Sequence, residues 1–104
     1  MKIAISSKES NTSSEIDSRF GRCAFFALYD TENKTTEFVR NEAAATEEGA
    51  GPAAVEQLAG LKVKKIIARD FGIKIKSLCS GLNIQLIIIK ESKTIEEIIK
   101  LLNH

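Results

Sequence analysis

Between Ile84 and Ile89 the chain is nearly unbroken in aliphatic side chains, with only Gln85 interrupting. So short a run suits a strand better than a helix, and its β-branched content favours a central strand covered on both faces. Such a strand demands helices on either side of a sheet, and the neighbouring sequence supplies them. Downstream, Thr94 and Glu97 have the spacing of a capping box, and Ile95, Ile98, Ile99 and Leu102 form a helical stripe. Upstream, Val63 to Ala68 reads as a buried strand, and Ile75, Leu78 and Cys79 recur at helical spacing before Gly81 ends the turn. Earlier still, Gly49, Ala50, Gly51 and Pro52 open a helix in which Val55, Leu58 and Ala59 share one face. Pro52 falls in its first turn and Gly60 at its stop.

The first part of the chain follows a different rule. Lys2 to Ser6 is a short apolar strand that gives way to Ser7 to Ser18, a polar loop with no hydrophobic period. Ala24 to Tyr29 and Thr35 to Val39 are strand-like and flank Asp30 to Lys34, whose polar side chains suit a hairpin turn. Asn41 to Glu48 is Ala-rich and acidic without a clear buried face, and reads as a mobile loop, with a weak helical turn as the alternative. The element order is therefore β-β-β-α-β-α-β-α, with right-handed crossovers joining the later parallel strands. It predicts an α/β fold: a three-layer α/β/α sandwich on a five-stranded mixed sheet, order 3-2-1-4-5, with strand 2 antiparallel. No repeat or linker divides residues 1–104, and a chain of that length with 43% apolar residues suits one core, so a single domain is expected.

Fifteen Lys plus Arg against fourteen Asp plus Glu leave a formal charge of +1, so no long-range field favours nucleic acid or anionic membranes as partners. The start of the chain turns polar after Ile5, and no stretch approaches membrane-spanning length, so a cytoplasmic location is expected. Cys23 and Cys79 lie far apart and form neither a disulfide framework nor a Cys-x-x-Cys clip. The single histidine, His104, is the last residue, which leaves general acid-base chemistry without its usual groups.

In open α/β sheets, ligands gather beyond the carboxyl ends of the parallel strands. That rim holds the Ser6 to Arg22 loop, the Asn41 to Gly51 region and Arg69 to Gly72. The Gly49-Ala50-Gly51-Pro52 turn offers helix-start amides to an anion, although glycines making a tight helix entry would read the same. Ser18 to Cys23 places Arg19, Arg22, the flexible Gly21 and a thiol together. Neighbouring guanidiniums favour the thiolate that ligates soft metals. The structural alternative has Phe20 as a core plug, both arginines solvated and Cys23 as a small buried residue. Cys79, on an apolar helix face, reads as core packing. Arg69 adds positive charge after the fourth strand, with Lys74 and Lys76 nearby, and Asp70 suits a helix N-cap.

Several of these segments carry a resemblance. Met1-Lys2-Ile3-Ala4-Ile5, Arg19-Phe20-Gly21-Arg22-Cys23, Gly49-Ala50-Gly51, the Ile66-Ile67-Ala68 to Gly72 turn and Thr94-Ile95-Glu96-Glu97 are similar, in order and spacing, to the dinitrogenase iron-molybdenum cofactor biosynthesis family. The similarity to these NifX-like nitrogenase accessory factors spans nearly the whole chain. It implies a ribonuclease H-like fold and a non-enzymatic carrier of an iron-molybdenum cofactor or another metal-sulfur cluster, working with a donor or acceptor protein. The cofactor-binding candidates are Arg19, Phe20, Gly21, Arg22, Cys23, Gly49, Ala50, Gly51, Arg69 and Gly72, with Cys23 as the metal ligand. Relatives often read His-Phe-Gly where this chain has Arg19-Phe20-Gly21, and many have His where Glu48 stands. A guanidinium pairs with an anionic cluster by charge and hydrogen bonds but does not coordinate metal. These departures leave an alternative: a regulatory or protein-interaction domain of the same fold that has lost cluster binding and uses the rim for a partner protein or small anion. A nuclease on this fold would need clustered carboxylates, one of them on the first strand, where Ser6 and Ser7 stand instead.

Overall fold

The computed structural model describes Met1 to Asn103, and His104 lies outside the described residues. The elements are β1 (Lys2–Ser7), β2 (Phe25–Asp30), β3 (Thr35–Arg40), α1 (Ala50–Gly60), β4 (Val63–Ala68), α2 (Ile73–Gly81), β5 (Gln85–Ile88) and α3 (Ile95–Leu102), in the predicted order. They build one sheet ordered β3-β2-β1-β4-β5. The β1–β2 and β2–β3 pairs are antiparallel, whereas β1–β4 and β4–β5 are parallel.

Side chains on a strand alternate between faces, so β1 divides the core. Ala4 joins Phe26, Leu28 and Ile66 beneath α1 and α2, which contribute Val55, Leu58, Ile75 and Cys79. Ile3 and Ile5 join Ala27 and Ile67 on the opposite face, beneath Ile95 and Ile98 of α3. The hairpin turn is closed by Asp30, whose carboxylate accepts from the amides of Glu32 (2.9 Å) and Asn33 (3.3 Å). Those donors hold its pKa below the ordinary value.

Helix α3 begins as its sequence predicts. Thr94 Oγ1 accepts from the Glu97 amide at 3.1 Å, and the Thr94 amide donates to Glu97 Oε1 at 2.9 Å. Thr94→Ala is expected to cost about 1 kcal/mol of stability, read as a lower urea midpoint with an unchanged m-value.

One reading from composition needs correction, and one loop is better packed than its polarity suggests. Taken alone, the composition of the Ile84–Ile89 run suggests a central strand, but β5 lies at the edge, as the predicted order 3-2-1-4-5 requires: it bonds only to β4, and Ile88 is 41% exposed. The central strand is β1, flanked by β2 and β4. The composition of the run reflects helices packing above and below it, which carries no information on lateral position. The Ser7 to Ser18 segment is a loop as expected, yet it is not simply solvated. Ile16 is fully buried against β1 and α3, and the Ile16 amide donates to the Lys93 carbonyl at 2.9 Å.

Candidate functional site

Three segments meet at the carboxyl rim of the sheet: Ser18 to Arg22 after β1, Gly49 to Pro52 at the start of α1, and Asp70 to Ile75 leading into α2. They enclose an open groove of about 490 Å³.

The helix starts give the groove its chemistry. The first amides of a helix have no carbonyl partner within it and carry partial positive charge. At α3 these groups are used internally: the Ile95 amide donates to Ser14 O (2.8 Å), the Glu96 amide to Thr12 O (2.9 Å), and the Glu97 amide to the Thr94 side chain. Helices α1 and α2 differ, because Gly49 and Gly72 occupy their cap positions and provide no side-chain acceptor. Gly49 has φ of 71°, a conformation that disfavours any Cβ. Both uncapped starts face the same groove.

Gly21 lets the preceding loop pack directly on the start of α1. A Cβ built there would lie 2.7 Å from the Gly51 nitrogen, 2.9 Å from the Gly51 Cα and 3.1 Å from the Ala50 carbonyl carbon. The missing side chain lets the loop close against the backbone of Ala50 and Gly51, a cradle that any other residue would wedge apart. Asn41 holds this turn in place, its Nδ2 donating to the carbonyls of Gly21 (3.0 Å) and Cys23 (2.9 Å). Asn41 is 3% exposed, so Asn41→Leu would bury two acceptors without a donor. A loss of roughly 2 kcal/mol is expected in chemical denaturation.

The floor is aromatic. Phe20 packs on Phe26 (centroids 5.7 Å apart) and on Phe71 (5.4 Å), tying the groove to the core. Arg22 and Lys74 bring positive charge to the lining and Asp70 brings one carboxylate. Asp70 does not cap α2 as expected. Its Oδ1 accepts from the adjacent Phe71 amide at 2.8 Å, and Gly72 takes the cap position.

Of the sequence candidates, Phe20, Gly21, Arg22, Gly49, Ala50, Gly51 and Gly72 come together at the groove, while Arg19, Cys23 and Arg69 do not. Cys23 is fully buried beneath it, its Sγ donating to the Phe20 carbonyl at 3.2 Å. Burial first, and then the nearby Asp17 carboxylate, push its thiol up to about 12, so it remains protonated at neutral pH. The expected activation by arginines fails because both guanidiniums are engaged elsewhere. Arg19 turns to the buried Asp17, with Nε 3.3 Å from Oδ1 and Nη2 3.3 Å from Oδ2. Arg22 reaches three carbonyls of the Ala44 to Glu47 segment. Arg69 Nη2 donates to the Lys90 carbonyl at 2.8 Å. Cys79 is buried within the core, in keeping with its packing role. Among the described residues, no three His, Cys, Asp or Glu side chains gather as a metal centre.

A family model described as dinitrogenase iron-molybdenum cofactor matches residues 1–104. The chain belongs to that family. Membership in the iron-molybdenum cofactor family ties it to the handling of metal clusters related to that cofactor, among accessory domains rather than a known catalytic family. Two solved structures share the fold. The apo form of the orange protein from Desulfovibrio gigas superposes with a TM-score of 0.90 at 23% identity, covering 98% of this chain and 86% of that one. A Thermotoga NifB-like protein of the DUF35 family superposes at 0.83 with 29% identity and the same two coverages, 98% and 86%. No curated protein matches the sequence. Among the described residues, no helix is long and apolar enough to cross a membrane.

Within this family fold, sequence reasoning passed over Phe71 and the groove-facing role of Ile75. Ile75 shares its helical period with Leu78 and Cys79, so only its place in the first turn of α2 could have marked it as a rim residue. Asn41 carried no signal, because its function depends on two carbonyls about twenty residues earlier in the chain.

Proposed function

We propose that this chain is a non-enzymatic carrier of an anionic metal-sulfur cluster, of the iron-molybdenum or a related kind, held in the groove by hydrogen bonds and charge rather than by Cys23. The observation that carries this reading is the convergence of two uncapped helix starts on one open groove, while the third helix start is filled from within. Amides of this kind suit an anion whose charge is spread over several sulfur atoms, and Lys74 adds an exposed cation. The buried phenyl rings of Phe20 and Phe71 give the groove an apolar floor in which such contacts strengthen. Holding without a metal-protein bond also suits cargo that must pass from a donor protein to an acceptor.

Anaerobic incubation with tetrathiomolybdate or isolated iron-molybdenum cofactor, followed by gel filtration and metal analysis, tests the proposal. Metal should co-elute with the wild-type protein. Lys74→Glu should weaken retention by about tenfold or more, the scale of one charge-assisted contact. Cys23→Ser should leave retention within about twofold, since the hydroxyl can keep the bond to the Phe20 carbonyl. Absence of metal under all these conditions, or its loss in Cys23→Ser alone, would overturn the reading.

The second reading is a regulatory or protein-interaction domain that has lost cluster binding. The buried, protonated Cys23 is the observation that favours it. Its signature would be capture of a defined partner that survives both chelation and Cys23→Ser, with no metal in the complex.

A further inference from the structure

Arg22 stands between the groove and the segment that leads into α1. It lines the groove, yet its Nη1 donates to the carbonyls of Ala44 (3.1 Å) and Thr46, and its Nη2 donates to that of Glu47 (3.1 Å). All three acceptors are neutral. The segment has few other ties: Thr46 is fastened to the Ala43 carbonyl through its amide (3.1 Å) and hydroxyl (2.9 Å). Among the described residues, the Arg22 contact is the only hydrogen bond that holds Glu47 or Glu48. Gly49 then follows with its left-handed backbone and no cap.

We propose that Arg22 is a latch released by the ligand: an anion in the groove draws the guanidinium from these carbonyls and frees Thr46 to Glu48. This inference rests on the anion reading of the groove. The bonds to the carbonyls are charge-assisted on the donor side alone; an anion adds direct attraction between opposite charges, and the planar fork can engage two of its atoms at once. Glu47 and Glu48 push in the same direction, because both are exposed carboxylates that an anion nearby repels. Loading therefore changes the acidic surface beside the groove, and an acceptor protein contacting that surface can tell the loaded carrier from the empty one.

The test uses the full chain and tetrathiomolybdate as the probe. A Glu-specific protease is applied with and without the probe, cleavage after Glu47 and Glu48 is followed by mass spectrometry, and retained molybdenum is measured in the same samples. Loading should speed cleavage by about tenfold, the factor that corresponds to losing one hydrogen bond from a charged donor. Arg22→Gln should be cut quickly without the probe and gain little from it. Hydrogen exchange at residues 46–49 of the wild-type protein gives the same readout without a substitution. Retained molybdenum with unchanged or slower cleavage and exchange would overturn the latch and leave the carrier reading standing. No retained molybdenum would overturn both.

Discussion

Gly21→Ala is expected to lower the unfolding free energy by about 1–3 kcal/mol and to cut anion retention more sharply than any other single glycine substitution. The added methyl would press on the backbone of Ala50 and Gly51, with its closest approach 2.7 Å from the Gly51 nitrogen. Backbone at the start of a helix cannot step aside as a side chain can, so the loop and α1 must separate. That separation would also move one wall of the groove away from the start of α1, so stability and binding fall together. Gly51→Ala is the natural comparison. A Cβ there would meet Ile75 Cδ1 at 2.7 Å, the far end of a flexible side chain that can rotate away. Its cost should be smaller. Gly49→Ala meets no neighbour within 4 Å but must hold φ of 71°, a strain of about 1–2 kcal/mol. Urea melts of the three variants, with tetrathiomolybdate retention measured alongside, give the ranking. A Gly21→Ala protein as stable as wild type would refute the close loop-helix contact on which the cradle depends.

Alkaline pH should expose the state of Cys23. In the folded chain its thiol is pushed up to about 12, against an ordinary value of 9.0, chiefly by burial. The folded state therefore keeps its proton where the unfolded state has lost one. This preference contributes fully below the unfolded pKa and is lost as pH rises from about 9 towards 12. The slope is about 1.4 kcal/mol for each pH unit in that window. Cys79 is also raised by burial and acts in the same direction, so the measurement belongs in a Cys79→Ser background. There, Cys23 should lose roughly 2 kcal/mol relative to Cys23→Ser between pH 7.5 and pH 10.5. Iodoacetamide should label Cys23 only as fast as the protein opens. Rapid labelling of the folded protein near pH 8 would show an accessible thiolate and would return Cys23 to the list of metal ligands.

How far the sequence reveals this molecule depends on the range of each interaction. The start of α3 is legible because Thr94 and Glu97 satisfy each other within one turn. The hairpin is legible because Asp30 bonds its own neighbours. For β5 the composition of the run names the element but not its position, since aliphatic residues are favoured wherever helices cover a strand; the edge position follows from the order of elements and the crossover rule. The groove was half legible. Its glycines and Phe20 stand out in the sequence, whereas Phe71 and Asn41 acquire their roles only from partners distant along the chain.

The amino-acid order alone determined the succession of strands and helices, the sheet order and the family, because periodicity, caps and turns act over a few residues and the crossover rule limits how such elements can connect. Only the tertiary structure decided which polar groups remain available at the rim. Arg19 is taken by Asp17, Arg69 by the Lys90 carbonyl, and Cys23 by the core, while the amides opening α1 and α2 are left facing the groove. A charge or a thiol written in sequence is a capacity, and its use depends on what folding packs against it. Burial and competing hydrogen-bond partners are properties of three-dimensional neighbours, and spacing along the chain does not encode them.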